Sequence, residues 1–427
     1  MNRKGSASGM ARTWEARSHR NCRGFVTVVG EISNAGRTPL QMRQNRFKSL
    51  LLVLLSLLCV TLLPSAFAAG KYLAYVGTYT TGGSKGIYAY RYDAAKHEMT
   101  SLGLAAETAD PSFVVADHAG RFLYAVNEGQ KYGGQASGGV SAFAIDAKTG
   151  KLTFLNEVAS GGADPCHISL DKSGKFVLVA NYTGGSVAVF PILKGGRLGE
   201  SSALVQHTGS GPNHDRQEGP HAHWIQATPD NRFALVSDLG LDELLVYRFD
   251  ATKGSLTPND PPFTKVEPGA GPRHLAFHPN GRFAYVIEEM KGAINVLTFD
   301  ARLGTFHSVQ TISTLPADFT AENTTAEIAS HPNGKFVYAS NRGHDSIAVY
   351  AVDAKKGTLT LVEDVPTQGK EPRNFVIDPT GTRLYVANQK SDNIVVFRIN
   401  SQTGRLKATG EVLKVPSPVC IEFVAEK

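Results

Sequence analysis

Residues 165–192 read PCHISLDKSGKFVLVANYTGGSVAVFPI, and the same plan returns as PRHLAFHPNGRFAYVIEEMKGAINVLTFD at 272–300, TAEIASHPNGKFVYASNRGHDSIAVYAVD at 325–353 and PRNFVIDPTGTRLYVANQKSDNIVVFRIN at 372–400. Copies begin near Pro111, Pro165, Pro220, Pro272, Thr325 and Pro372, with 47 to 55 residues between successive starts, which is room for four short strands. Inside a copy, the apolar run Ile168–Leu170 meets a turn at Asp171–Gly174. A wholly apolar run, Phe176–Ala180, follows, and after a Gly-rich turn comes Ser186–Pro191. The fourth strand is expected after D-x-x-x-G-x-L, seen at Asp146–Leu152, Asp250–Leu256 and Asp353–Leu359, with Asn as the first residue at Asn400–Leu406. Gly in such turns supplies positive φ, and Asp or Asn caps the local backbone. Repeats of this length built from strands and turns predict a propeller, and long helical patterns are absent.

A seventh copy is divided between the chain ends. Tyr72–Tyr79 and Gly86–Asp93 look like middle strands without an opening strand, while Ser417–Phe423 looks like an opening strand with nothing after it. Pairing the two closes the ring and removes the open sheet edges. The fold predicted is all-β, a seven-bladed β-propeller of four-stranded antiparallel blades, spanning residues 69–427 as one domain.

Ahead of it, residues 42–68 run from a basic leader (MRQNRFKS) through LLLVLLSLLCVTLL to PSAFA. That is the pattern of a secretory signal peptide with cleavage expected after Ala68, and its apolar core is short for a membrane span. Residues 1–41, polar and Arg-rich, are expected to be an over-extended start or a disordered tail. The leader also distorts the charge balance. Residues 1–68 hold 10 of the 44 Lys and Arg but 2 of the 38 acids, so the remainder carries 34 against 36, a net charge of −2. The high overall isoelectric point therefore does not argue for a nucleic-acid or membrane partner. A periplasmic or secreted monomer is expected. Cys166 and Cys420 remain after cleavage, on opening strands two blades apart, and are expected to be small buried thiols rather than a disulfide.

Opening strands line the channel of a propeller, so equivalent positions converge. Superposing the copies on the Phe of the G-[KR]-F turn brings Phe113, His167, His223, His274, Glu327 and Asn374 to one level, with Arg273 and Arg373 just before it. Titratable groups at a repeated position point to a site for an anionic small molecule, with His and Glu moving protons and Arg holding a carboxylate or phosphate. The connection GSGPNHDRQEGPHAHW adds Arg216, Glu218, His221 and His223. Asn127, Asn181, Asn341 and Asn388, with Glu128, Glu288 and Glu289, end second strands, and cross-blade hydrogen bonding is expected for most of them. His278 and His331 belong to turns. No G-x-S-x-G, P-loop or H-E-x-x-H is present, and no acid cluster suits calcium, so neither a metal nor another cofactor is expected.

YVGTYTTGGSKGIYAYRYD, GPNHDRQEGPHAHW, GAGPRHLAFHPNGRFAYV and TAEIASHPNGKFVYASNRGHDSIAVY resemble the seven-bladed propeller lactonases, a family that includes propeller-type 6-phosphogluconolactonases and the fungal carboxy-cis,cis-muconate cyclase. The resemblance implies lactone hydrolysis by a metal-independent site at one end of the channel. It places His167, Arg216, Glu218 and Arg273 in that site, with Glu327 competing for the role of the carboxylate. His167 or a carboxylate would serve as general base, and the arginines would hold the oxyanion or an anionic group. His221, His223, His274, Arg373 and Asn374 are the expected substrate contacts. An exported protein meets few phosphorylated sugars, so an unphosphorylated sugar lactone competes with 6-phosphogluconolactone as substrate. A lactonizing cyclase and a non-enzymatic binding propeller are the other readings.

Overall fold

The computed structural model describes residues 70–426. The signal-peptide reading at 42–68 and the extension at 1–41 lie outside the described residues. Seven four-stranded antiparallel sheets form, each ordered from an innermost to an outermost strand. Blade 1 has its innermost strand at Val114–Ala116, blade 2 at Pro165–Leu170, blade 3 at Ala222–Ala227, blade 4 at Pro272–Phe277, blade 5 at Thr324–Ser330 and blade 6 at Pro372–Ile377. Blade 7 is the split one: Pro418–Ala425 pairs with Lys71–Thr78 in a register running from Tyr72 opposite Ala425 to Thr78 opposite Pro418. Leu152, Leu359 and Leu406 each open a fourth strand, as the D-x-x-x-G-x-L spacing predicts. The only helical pieces among the described residues are two three-residue turns. No helix among the described residues is long and apolar enough to cross a membrane.

The second strands are apolar on both faces because both faces are buried. In Phe176–Asn181, Val177 and Val179 pack against Tyr124, Val126 and Val140 of blade 1, whereas Phe176, Leu178 and Ala180 pack against Ile225, Ala234 and Val236 of blade 3. Each fully buried Val, Leu or Phe contributes about 1.5–3 kcal/mol, so these seams hold the ring together. The Asp171 turn is fixed by its carboxylate, which accepts the Lys175 and Phe176 N–H groups at 2.8 Å, and by Gly174 at φ 67°. Asn181 and Asn341 bond across seams, to the Ser160 and Thr314 carbonyls at 3.2 and 2.8 Å. His278 and His331 tie one turn to the next, through the Gly334 and Gly381 carbonyls, both at 2.8 Å. Cys166 and Cys420 are free and buried.

A register shift recurs near the start of the innermost strands of blades 2 to 7, between Pro165 and His167, Ala222 and Trp224, Pro272 and Leu275, Thr325 and Ile328, Pro372 and Asn374, and opposite Gly77/Thr78 in blade 7. Such a bulge inserts one residue and re-aims a side chain. It therefore presents two consecutive residues of one strand to the channel, which is how Arg273 and His274 both reach the axis.

Candidate active site

The bulges build two stacked levels. Register puts Phe113, His167, Trp224, His274, Glu327 and Asn374 on the inner level, and Cys166, His223, Arg273, Ala326 and Arg373 on the level nearer the face that carries the blade-to-blade connections. This corrects the superposition of His223 with His167. The blade 3 turn from Thr228 to Phe233 is as long as the Asp171–Phe176 turn, so Trp224 occupies the His167 position and His223 sits with the two arginines.

The inner level is a packed partition. His167 lies 4.5 Å from the Phe113 ring, 5.7 Å from Trp224 and 5.4 Å from His274, centroid to centroid. His274 spans the partition: Arg273 Nη1 donates to its Nε2 at 3.3 Å, and its Nδ1–H donates to Glu327 Oε1 at 3.1 Å. Glu327 Oε2 accepts Asn374 Nδ2 at 2.6 Å. Burial pushes the Glu327 carboxyl up, but His274 and Arg273 outweigh it and hold it below its ordinary range. Burial, then His274 and Arg273, keep His167 well below the usual imidazole value and therefore neutral.

Above the partition lies a cavity of about 310 Å³ lined by Glu128, Cys166, Tyr182, Arg216, His223, Glu289, Thr324, Arg342 and Arg373. Its centre is Glu289. Arg216 Nη2 donates to Glu289 Oε1 at 2.6 Å, and Arg273 Nε and Arg342 Nη2 both stand 2.9 Å from Oε2. The Arg273 Nε contact is a close charge pair rather than an aligned hydrogen bond. Burial alone would raise the Glu289 pKa; Arg342, Arg273 and Arg216 instead pull it to about 2, so it is ionised at every ordinary pH. Arg273 is lowered to about 10 by burial and by Arg342 and Arg373, and stays charged at neutral pH. Arg216 is held by its loop: the buried Gln217 beside it donates to the Leu239 carbonyl at 2.8 Å.

Across the cavity Arg373 stacks on the Tyr79 ring at 5.3 Å, and the Tyr79 hydroxyl donates to Glu128 at 2.9 Å. Among the described residues Arg373 has no ion pair within 4 Å, so its guanidinium is available to a ligand. Burial raises the Glu128 carboxyl above its ordinary range, and Arg373 only partly offsets that. Burial, then Arg273, His274 and Arg373, keep His223 well below the usual value and neutral. Four arginines against two carboxylates leave the pocket cationic, suited to an anionic ligand.

Arg216, His223, Arg273 and Arg373 thus come together at this mouth. Glu218 does not: its side chain is 63% exposed and pairs with His221 at 3.3 Å, while His221 stacks on Tyr182 at 4.5 Å behind the cavity wall. His167, His274, Glu327 and Asn374 belong to the partition, and the first three line a different cavity below it. The residues that sequence reasoning passed over are Tyr79, Tyr182 and Arg342, which with Glu128 and Glu289 occupy one repeated position at the end of the second strand: Arg342 is the last residue of its strand and the others follow directly after theirs. Superposing the copies on the equivalent of Asn181, which is Thr78, Asn127, Glu288 or Asn341 in the other copies that carry them, and reading one residue further would have found them. A cleft of about 660 Å³ between blades 3 and 4 on the opposite rim is lined by residues that include Asp230, Arg282, Asp300 and His307, none of them among the residues that the sequence singled out for the site.

A cationic pocket with positioned carboxylates on one face of a seven-bladed ring defines a propeller built to take an anionic small molecule, and comparison narrows the class. Residues 73–423 match the seven-bladed β-propeller lactonases, and the chain belongs to that family. It is 42% identical over 354 residues to a Bacillus subtilis 6-phosphogluconolactonase, covering 83% of this chain and 99% of that one. A Formosa agariphila 6-phosphogluconolactonase is 35% identical over 312 residues, with 71% and 86% covered. The solved structure of the Pseudomonas aeruginosa periplasmic gluconolactonase PpgL superposes with a TM-score of 0.78 at 34% identity, covering 84% of this chain and 100% of that one. The activity is therefore that of a lactone hydrolase, a carboxylic ester hydrolase.

Proposed function

We propose that the protein opens a sugar lactone of the gluconolactone type at the arginine-lined mouth, outside the cytoplasm. The observation that carries this is the set of Arg216, Arg342 and Arg373 lining one cavity with Glu289 and Glu128, with Arg273 braced against Glu289 beside it. Arg373, free of any carboxylate, would hold the substrate's anionic group or the oxyanion that forms when water adds to the lactone carbonyl. Glu128, raised by burial and oriented by Tyr79, would take the proton from that water. As the ring C–O bond breaks, the same proton passes to the departing ring oxygen, leaving a hydroxy acid that ionises. Glu289, locked at low pKa, is a poor base; its part is to fix three guanidinium groups.

This reading moves the base from His167, Glu218 or Glu327 to Glu128. Export is supported by the basic, apolar and small-residue order of 42–68 and by the periplasmic relative. The two relatives named 6-phosphogluconolactonase and the one named gluconolactonase differ in whether the lactone carries a 6-phosphate, and guanidinium groups bind phosphate and carboxylate alike. Residues 69–427 should be assayed on glucono-1,5-lactone with and without the 6-phosphate while acid release is followed. Hydrolysis of either, with KM raised by Arg373→Ala, is expected. Turnover of neither would leave a binding propeller, and ring closure of a muconate instead would make it a cyclase.

A further inference from the structure

Below the partition, the channel ends in a second cavity of about 410 Å³, whose lining includes His167, Lys172, Trp224, Gln226, Phe277 and Glu327. His167 is 4% exposed, and its Nδ1 accepts the Ile225 N–H at 3.4 Å, so the proton of the neutral ring sits on Nε2. Among the described residues that Nε2–H has no hydrogen-bond partner, and Lys172 has no ion pair. Both therefore offer unused donors to the cavity. Glu327 offers little in return: Oε1 is taken by His274 and the Ile328 N–H, and Oε2 by Asn374. Trp224 and Phe277 supply apolar wall. A space with free donors on its blade 2 side and aromatic surface opposite suits a ligand with an apolar body and an anionic acceptor at one end.

From this we infer that the lower mouth is a second binding site, distinct from the arginine-lined one, for a small carboxylic acid with a planar or aromatic body. The carboxylate meets Lys172 and His167 Nε2–H, and the body lies against Trp224.

The chain supplies its own probe. Of the two tryptophans, Trp14 and Trp224, only Trp224 remains in residues 69–427, so its fluorescence reports on this cavity. Titrating that protein with benzoate, cinnamate and hexanoate should give a saturable change in Trp224 emission for at least one acid. Lys172→Ala, at an exposed position that does not endanger folding, should weaken binding about tenfold or more. Arg373→Ala, at the other mouth, should leave the response in place. The inference is overturned if no acid gives a saturable change, if the response survives Lys172→Ala unaltered, or if it vanishes in Arg373→Ala. Because no lactone is turned over, failure here leaves the reading of the arginine-lined mouth untouched.

Discussion

The two mouths of the channel are built from neighbouring residues of the same strands and differ in what is left unpaired. At the upper mouth charge is concentrated and cross-braced, with three guanidinium groups on Glu289 and a fourth, Arg373, free. At the lower mouth the carboxylate Glu327 is spent on the partition, and what remains open is an imidazole N–H, one lysine and aromatic wall. A single bulged residue separates the two environments. The fold therefore makes polarity differ across a few ångströms without changing its backbone plan.

The contrast is broken most severely by Glu289→Leu. That substitution leaves Arg216, Arg273 and Arg342 facing one another in a buried site, and removing one partner of such a cluster costs about 3–5 kcal/mol. Urea unfolding should show that loss, with lactonase activity gone. Glu128→Gln should spare stability and lower kcat/KM by about 10²–10⁴-fold, the range for a lost general base. It should also remove the acid limb of the pH profile, since in the parent enzyme activity falls as Glu128 is protonated, at a pH above that of an ordinary carboxylate.

A smaller effect lies in pH and stability. Glu288 is fully buried with both oxygens unpartnered, and burial raises it from 4.5 to about 7. Its folded form binds the proton more tightly than the unfolded chain does. Its contribution is therefore complete below pH 4.5 and is lost as pH rises to about 7. Glu289 runs the other way, its contribution being lost as pH falls from 4.5 to about 2. Thermal melts of Glu288→Gln should show a shallower downward slope between pH 4.5 and 7, with Glu422, raised by burial over the same range, still contributing, and should keep the acid limb.

The ring was legible because the second strands are buried on both faces and the turns need Asp and Gly at set positions, so the repeat survives in the letters. The split blade was legible for the same reason. The site was only half so. Arg273 and Arg373 stood out as equivalent positions, but a bulge leaves no mark in a residue count, and the shift of His223 against Trp224 went unseen. In the blade 3 connection, Arg216 turns into the cavity and Glu218 out to solvent, a division fixed by the buried Gln217 rather than by residue type. Tyr79, Tyr182 and Arg342 share with Glu128 and Glu289 a position that is Tyr in two blades, Glu in two and Leu, Arg or Gln in the others, and a position with no single common type does not announce itself.

The account rests on hydrolysis taking place at the upper mouth. The most direct test is kcat/KM on the preferred lactone for Arg373→Ala and His167→Gln, measured side by side on folded protein. A loss of about 10²-fold for Arg373→Ala, with His167→Gln within about threefold of the parent, is predicted. A collapse in His167→Gln with Arg373→Ala near the parent would place the chemistry at the lower mouth and contradict it.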